Sequence, residues 1–288
     1  MSEQDKQAVL SVTDHRRDSA GFTYVYPVVS RRAGGVSVGI NLNPNNACNW
    51  RCVYCQVPDL QRGSAPELDL VQLHDELVAM LDDILHGDFM QTRVPEGARR
   101  LNDIAFSGNG EPTSSHQFPA VVELVARVLQ QFGLQGNIKL VLITNGSLMH
   151  RAEITQALGQ LAELGGEVWF KLDRAPADGF SAVNQVALQC DGVARRLAAA
   201  AKKCPTWLQT CMFAMDGRLP DDAEIDAYLA FLAGQQAAGL RLRGVLLYGL
   251  ARPSLQAEAA RLSPAPAAWM QALAGRIESL GLPVRLSV

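Results

Sequence analysis

The stretch Cys48-Asn-Trp-Arg-Cys52-Val-Tyr-Cys55 carries three cysteines in eight residues, with the spacing CxxxCxxC. Three thiolates can hold three irons of a [4Fe–4S] cube and leave the fourth iron open to a small molecule. A structural zinc site normally takes four protein ligands, and the sequence offers no further cysteine or histidine close to this stretch. The spacing therefore favours a [4Fe–4S] cluster held by Cys48, Cys52 and Cys55.

Two other interpretations of the cysteines stay open. Cys52 and Cys55 form a CxxC pair of the redox type, but that pairing leaves Cys48 unexplained. A zinc site would need a fourth ligand from a distant part of the chain. The chain has three further cysteines without CxxC spacing, which either pack as small buried side chains or bind a second cluster: Cys190, Cys204 and Cys211.

Apolar runs alternate with helical periodicity along the chain. The runs predict strands at 38–42, 103–107, 138–144, 167–172, 206–213, 244–248 and 284–287, and the stretch 90–100 is expected to be a loop. The periodicity predicts helices at about 68–85, 118–132, 151–164, 192–203, 222–236 and 265–280. This alternation indicates an α/β fold with a parallel sheet, either an incomplete β/α barrel of six units or a doubly wound open sheet.

Polar motifs follow the predicted strands at their carboxyl ends, the edge of an α/β sheet where active sites collect. After the cysteines come 107–113 (SGNGEPT), 143–148 (ITNGSL), 171–173 (KLD) and 251–253 (ARP). Five motifs on one edge predict one shared site. The run 24–29 (YVYPVV) is expected to add an edge strand, within an N-terminal extension at 1–32 that precedes the main domain at 33–288.

The motifs carry a family resemblance. The cysteine spacing, with Tyr54 just before the last cysteine, resembles the signature of the radical S-adenosylmethionine (SAM) superfamily. The turn 107–113 resembles the GGE-type motif of that superfamily, with Asn109 inside the glycine pair. The order of the later motifs is similar to the branch grouped with the tRNA wyosine synthases, and the resemblance runs from about Ser30 to about Pro264.

This resemblance implies a fold, two cofactors and an activity. The fold is a partial (β/α)6 barrel of radical SAM type with parallel strands, a short N-terminal extension and a C-terminal helix. The cofactors are a [4Fe–4S] cluster and SAM. The activity is reductive cleavage of SAM to a 5′-deoxyadenosyl radical, which abstracts hydrogen from an unidentified substrate.

The resemblance also implies cofactor-binding residues. Gly108, Asn109, Gly110 and Glu111 are expected to approach the methionine part of SAM, because glycines let the backbone come close to a ligand. The alternative is a tight turn with Glu111 outside the site.

Three more residues are expected at SAM. Tyr54 is expected near the adenine, and Asn145 at the ribose hydroxyls or the methionine carboxylate, unless Asn145 is only a turn residue. Arg252 is expected at the adenosine end or at a substrate anion, unless it is a surface arginine.

Lys171 and Asp173 are the candidate catalytic residues. They are two positions apart at a strand end, so both are expected to face the barrel interior. Lys171 would then bind the SAM carboxylate or the substrate. The alternative is a simple Lys171–Asp173 ion pair.

Composition sets further expectations. The chain has 288 residues, 48% hydrophobic and 19% charged, with a net charge of −3. This charge does not indicate nucleic-acid binding, although paired basic residues leave a tRNA substrate open. We expect a cytoplasmic protein without a membrane segment, a small-molecule or macromolecular substrate, and a reductant such as flavodoxin or ferredoxin.

Two other functions remain alternatives. One is a tRNA-modifying enzyme of the wyosine type, but those enzymes carry additional N-terminal cysteines and a catalytic lysine, and no cysteine precedes Cys48 here. The other is a non-catalytic iron–sulfur protein that transfers electrons or senses redox state. Formation of 5′-deoxyadenosine separates SAM cleavage from the non-catalytic alternative.

Overall fold

The computed structural model describes residues 9–11, 20–30, 34–175 and 177–288. The strands within these ranges are β1 Val25–Ser30, β2 Gly35–Asn41, β3 Ala47–Cys48, β4 Gln61–Arg62, β5 Leu101–Ser107, β6 Lys139–Thr144, β7 Glu167–Lys171, β8 Thr206–Cys211, β9 Phe213–Met215, β10 Gly244–Tyr248, β11 Leu262–Pro264 and β12 Val284–Ser287. The helices are α1 Leu70–Leu85, α2 Phe89–Arg93, α3 Phe118–Gln131, α4 Ala152–Glu163, α5 Ala177–Gly179, α6 Cys190–Ala201, α7 Asp222–Ala237 and α8 Ala267–Glu278.

Eight strands form the main sheet, in the order β1-β2-β5-β6-β7-β8-β10-β12. Strand β1 is antiparallel to β2, with Val25 opposite Ile40. Each other neighbouring pair is parallel. The sheet curls into a half-barrel of mostly parallel strands, so the predicted partial barrel is confirmed.

Residues alternate between the two faces of the curled sheet, as the pleat requires. On β5, Ile104 and Phe106 belong to the large apolar core that also contains the buried faces of α1, α3, α4, α6, α7 and α8. Ala105 faces the other way, into the barrel interior with Trp169. A doubly wound sheet would carry helices on both faces, whereas here the long helices share one core on the outer face.

Strand β1 pairs with β2 in the sheet, and a buried carboxylate joins its beginning to helix α1. Glu76 of α1 accepts hydrogen bonds from the backbone N–H groups of Thr23, Tyr24 and Val25, at 2.9, 2.7 and 3.1 Å. The edge strand expected at 24–29 is therefore part of the barrel sheet. The rest of the predicted extension at 1–32 lies mostly outside the described residues.

Two tryptophans close the barrel interior at the amino ends of the strands. The carboxylate of Glu167 accepts hydrogen bonds from Trp169 Nε1 at 2.8 Å and Trp207 Nε1 at 3.3 Å, and Lys139 pairs with it at 3.4 Å. The guanidinium of Arg285 lies 4.3 Å from the ring centre of Trp207. These contacts satisfy the buried polar groups and leave the opposite end for the site.

Two sequence expectations need correction. The run expected as one strand at 206–213 is two strands, β8 and β9, because β8 pairs with β10 in the main sheet, whereas β9 pairs antiparallel with β11 in a separate two-stranded sheet. The stretch 90–100, expected as a loop, contains most of helix α2 and a short 3₁₀ turn, Glu96–Ala98. Across the described parts of the chain, no helix is long and apolar enough to cross a membrane.

Candidate functional site

The carboxyl ends of the strands surround a cavity of about 300 Å³. Eleven of the twelve predicted site residues line it: Cys48, Cys52, Tyr54, Cys55, Gly108, Asn109, Gly110, Glu111, Asn145, Lys171 and Arg252. The motifs, up to 204 positions apart in sequence, therefore meet at one place, as the edge rule for α/β sheets predicts.

The three cysteines lie on one loop, residues 47–57, which we call the cysteine loop. Two of the sulfurs already accept hydrogen bonds from the chain. The backbone N–H of Trp50 donates to Cys48 Sγ at 3.4 Å, and Nδ2 of Asn184 donates to Cys52 Sγ at 3.3 Å. Donors placed at the sulfurs stabilise thiolates, which is the form that binds iron.

Burial opposes that ionisation while the sulfurs carry protons. Burial raises the pKa of the Cys48 thiol to about 12, and it also raises the pKa of the Cys52 thiol to about 12. A metal that bound here would have to displace these protons. Within the described ranges, no three His, Cys, Asp or Glu side chains are arranged around a single metal ion. In a four-iron cube each thiolate binds its own iron, so the sulfurs need not meet at one point.

The loop after β10 holds the cysteine loop from one side. Ser254 Oγ donates to the carbonyl of Val53 at 2.7 Å, and Gln256 Nε2 donates to the carbonyl of Val57 at 2.9 Å. Arg252, just before these residues, lines the cavity. This arrangement places Arg252 beside the cysteines rather than on the outer surface.

The glycines of the turn after β5 serve the packing of two loops. Gly108 has φ +123°, a conformation that residues with a Cβ rarely adopt. A Cβ on Gly110 would lie 2.1 Å from the carbonyl oxygen of Ala47 and 2.5 Å from Cγ of Asn43. The close approach at Gly110 is therefore to the chain's own cysteine loop.

Glu111 binds two strand ends together. Its buried carboxylate accepts four hydrogen bonds, from the N–H of Thr113 at 3.2 Å, the hydroxyls of Thr113 and Thr144 at 2.6 Å each, and the N–H of Asn145 at 2.6 Å. Burial raises the pKa of Glu111, and these donors act against that rise. The side chain thus accepts four hydrogen bonds from three residues while lying in the cavity wall.

Asn109 offers an acceptor to a ligand. Its Nδ2 donates to Asn46 Oδ1 at 2.7 Å, and its N–H donates to Asn41 Oδ1 at 3.0 Å. Its own Oδ1 is buried and has no hydrogen-bond partner in the described part of the chain. Since Asn109 lines the cavity, a bound ammonium or hydroxyl group would satisfy this oxygen.

Asn145 connects the turn after β6 to the cysteine loop. Its Nδ2 donates to Asn49 Oδ1 at 2.7 Å, and its Oδ1 accepts the N–H of Ser147 at 3.0 Å. The second contact is an Asx turn, as expected for a turn residue. Asn49 also donates to Ser147 Oγ at 2.7 Å. Asn145 thus has both a turn role and a place in the cavity wall.

Lys171 is a half-buried cation between the cysteine loop and β10. Its Nζ lies 4.8 Å from the ring centre of Tyr54 and donates to the hydroxyl of Tyr248 at 3.4 Å. Burial alone lowers the pKa of Lys171, but the acidic groups around it, Tyr248 and Asp173 foremost, raise it well above its ordinary value. The side chain is therefore an ammonium that faces the cavity.

Asp173 does not line the cavity beside Lys171, and its catalytic role stays a prediction. Strand β7 ends at Lys171; beyond it Leu172 packs in the outer apolar core, whereas Asp173 contacts Tyr54 of the cysteine loop. Asp173 is 1% exposed, and its carboxylate accepts Tyr54 Oη at 2.6 Å, Asn184 Nδ2 at 2.8 Å and the N–H of Cys211 at 2.9 Å. It joins three elements behind the cavity wall.

The three later cysteines do not form a group. Cys190 begins α6 and Cys204 follows its end, which separates them by about 18 Å of helix. Cys211, at the end of β8, lines the cavity, whereas Cys190 and Cys204 do not. This separation gives no support to a second cluster built from these three thiols.

Comparison with protein-family models finds no match to this chain. The chain is 28% identical over 160 residues to a UPF0026 protein of Helicobacter pylori (strain ATCC 700392 / 26695), covering 55% of this chain and 45% of that protein. It is 28% identical over 159 residues to GTPase Obg of Brachyspira hyodysenteriae, covering 55% of this chain and 20% of that protein. The chain thus spans less than half the length of these relatives.

Solved structures resemble the chain over more of its length. TYW1, a wyosine synthase, with a lysine–pyruvate adduct bound, has a TM-score of 0.57 at 13% identity, covering 96% of this chain and 82% of that chain. A radical SAM methyltransferase from Sphaerobacter thermophilus has a TM-score of 0.57 at 15% identity, covering 88% and 66%. The chain has the radical SAM fold. SuiB of Streptococcus suis bound to S-adenosylmethionine shares this fold, with a TM-score of 0.54 at 10% identity, covering 88% and 47%.

The resemblance predicted from the sequence is thus confirmed for the radical SAM fold. Three cavity-wall or supporting residues were missed: Asn184, Gln209 and Tyr248. Gln209 and Tyr248 lie at or near the ends of β8 and β10, so the strand-end rule could have found them. Asn184 lies outside any strand, and no sequence motif marks it.

Proposed function

We propose that this chain is a radical SAM enzyme that holds a [4Fe–4S] cluster through Cys48, Cys52 and Cys55 and cleaves SAM to start hydrogen abstraction from a substrate. One observation carries the proposal. The three thiols line the same cavity as the turn after β5, Asn145 and Lys171.

The thiols fit a cluster by number and by setting. Three sulfur ligands on one loop leave one iron of a cube without a protein ligand, and hydrogen-bond donors already lie at Cys48 and Cys52. When bound, the cluster would supply the electron that splits SAM into methionine and a 5′-deoxyadenosyl radical. The chain's own task is to hold the cluster, orient SAM and enclose the reaction.

The part of the cavity wall that contains Asn109 and Lys171 fits the polar end of SAM. Oδ1 of Asn109 is an unsatisfied acceptor for the methionine ammonium, and Lys171 is a cation for the methionine carboxylate or for a substrate anion. Glu111 and Asp173 support these residues from behind, because their carboxylates already accept donors of the chain. Tyr54 is held under Lys171 by its bond to Asp173.

The test is SAM cleavage by the reconstituted protein. The chain is loaded with iron and sulfide without oxygen, reduced with dithionite and given SAM, and 5′-deoxyadenosine is measured. We expect its formation in the wild type and in Cys190→Ala, and its loss in Cys52→Ala. Cys190 is a matched control, since it is half-buried at the start of α6, outside the cavity wall. A four-iron cluster that forms no 5′-deoxyadenosine would support the non-catalytic iron–sulfur protein instead.

A further inference from the structure

A π-helical turn, Phe180–Asn184, holds the cysteine loop from the side opposite the loop after β10. The N–H of Val53 donates to the carbonyl of Val183 at 2.9 Å, and the N–H of Arg51 donates to the carbonyl of Asn184 at 3.3 Å. The guanidinium of Arg62 donates to the carbonyl of Gln185 just beyond the turn. π-helical turns are rare and recur at functional sites, and this turn is fixed against a predicted cofactor loop.

The side chain of Asn184 reaches a cysteine sulfur. Asn184 is fully buried, and its Nδ2 lies 3.3 Å from Cys52 Sγ and 2.8 Å from Asp173 Oδ2. A carboxylate only accepts hydrogen bonds, so the amide must present its NH₂ group to Asp173. That contact fixes the orientation of the amide, and the second N–H of the same nitrogen is left for the sulfur.

Asp173 is itself held in place. Tyr54 Oη and the N–H of Cys211 donate to its two oxygens. Asp173 thus fixes Asn184, and Asn184 in turn donates to Cys52. Hydrogen bonds of this kind, one step behind a metal ligand, orient the ligand and tune the metal. Oδ1 of Asn184 is buried without a partner in the described ranges. An apolar side chain of the same size would fill this space without burying an unpaired oxygen.

We propose that Asn184 is a positioning residue that holds Cys52 and raises the reduction potential of the cluster. The proposal rests on the proposed function, since it needs a cluster on the cysteine loop. Hydrogen bonds to the cysteine sulfurs are among the factors that set cluster potentials. An N–H donor stabilises negative charge on sulfur, and the reduced cluster carries one more negative charge than the oxidised cluster. Loss of the donor therefore makes reduction harder.

The experiment compares cluster potentials in full-length variants. Asn184→Leu keeps the approximate shape and removes both donors. Gln185→Asn is the matched control, because Gln185 directly follows the turn, its half-buried side chain donates to the carbonyl of Ala182 rather than to a cysteine sulfur, and its φ of +57° is a conformation that asparagine accepts. Each protein is reconstituted without oxygen, its iron content is measured, and its reduction is titrated by electron paramagnetic resonance.

We expect Asn184→Leu to bind iron as the wild type does but to be harder to reduce. At a fixed potential its ratio of reduced to oxidised cluster should fall about tenfold, which is about 59 mV for one electron. Gln185→Asn should match the wild type. Tyr54→Phe removes a different donor to Asp173 and leaves Asn184 at Cys52, so its shift should be smaller than that of Asn184→Leu.

Three results would overturn the inference or its basis. An unchanged potential in a loaded Asn184→Leu protein refutes the role of Asn184 and leaves the proposed function intact. If Asn184→Leu does not fold, Asn184→Ser replaces it, because serine is too short to reach both groups. Failure of the variant that folds to bind iron would mean that Asn184 only holds the loop. A wild type without a four-iron cluster would instead refute the proposed function.

Discussion

Glu111→Gln tests whether Glu111 supports the site or directly binds its ligand. The change keeps the size of the side chain and removes its charge. Glutamine has one acceptor oxygen, so it can face either the N–H of Asn145 or the three donors from Thr113 and Thr144, but not both sets. In either orientation, at least one buried donor of the chain then faces the NH₂ group of the glutamine and has no acceptor.

The magnitude follows from these contacts. A buried donor without a partner costs about 1–3 kcal/mol, and the remaining bonds weaken from about 1.5–3 to about 0.5–1.5 kcal/mol each when the acceptor loses its charge. Glutamine also escapes the cost of burying a carboxylate, which offsets part of this loss. We expect the free energy of unfolding to fall by about 1–3 kcal/mol.

Urea unfolding of the ligand-free chain, followed by circular dichroism, measures this change. The unfolding midpoint should fall with an unchanged slope. Glu123→Gln is the control, because Glu123 is exposed on α3 and such changes stay within about 0.5 kcal/mol. Unchanged or increased stability of ligand-free Glu111→Gln, together with weaker SAM binding, would refute the supporting role and favour direct contact with SAM.

Three more predictions test the site. Cys48→Ala, Cys52→Ala and Cys55→Ala should each abolish cluster assembly, because two thiolates do not hold the cube; about eight irons per wild-type chain, instead of about four, would contradict the single cluster. Gly110→Ala should lower the unfolding midpoint in the absence of any ligand, since its Cβ would meet the Ala47 carbonyl, whereas Gly159→Ala, which has open space in α4, should raise stability by about 0.5–1 kcal/mol. Lys171→Met should weaken SAM binding in titration calorimetry by about 1.5–3 kcal/mol if Lys171 binds the carboxylate; unchanged affinity with persistent 5′-deoxyadenosine formation would assign Lys171 to the substrate.

The barrel and most residues of the cavity wall could be predicted from the sequence, and the reason is physical. Buried parallel strands are apolar runs that can be recognised locally, and each polar motif began where such a run ended. Chain order then placed the cysteine loop, the turn after β5 and Lys171 at one edge. The bounds of β10 and β12 are those predicted, 244–248 and 284–287.

The supporting contacts could not be predicted because they depend on distant residues. Asn184 is 132 positions from Cys52, and the turn that carries it has no apolar period. The partners of Asp173 could not be predicted for the same reason, because Tyr54 lies 119 positions and Cys211 lies 38 positions away in the sequence.

The site therefore has two kinds of buried polar residue, and they should respond differently to substitution. Glu111 and Asp173 have their acceptors filled by the chain, so their loss should reduce stability before any ligand binds. Asn109 has one bond from its Nδ2 to Asn46 and a buried Oδ1 without a partner in the described ranges, so its loss should cost the ligand-free chain less stability than the loss of either carboxylate and should weaken ligand binding. A charged carboxylate at a strand end is easily predicted to be catalytic. In this site, the number of hydrogen bonds that each carboxylate already accepts from the chain is the better guide to its role.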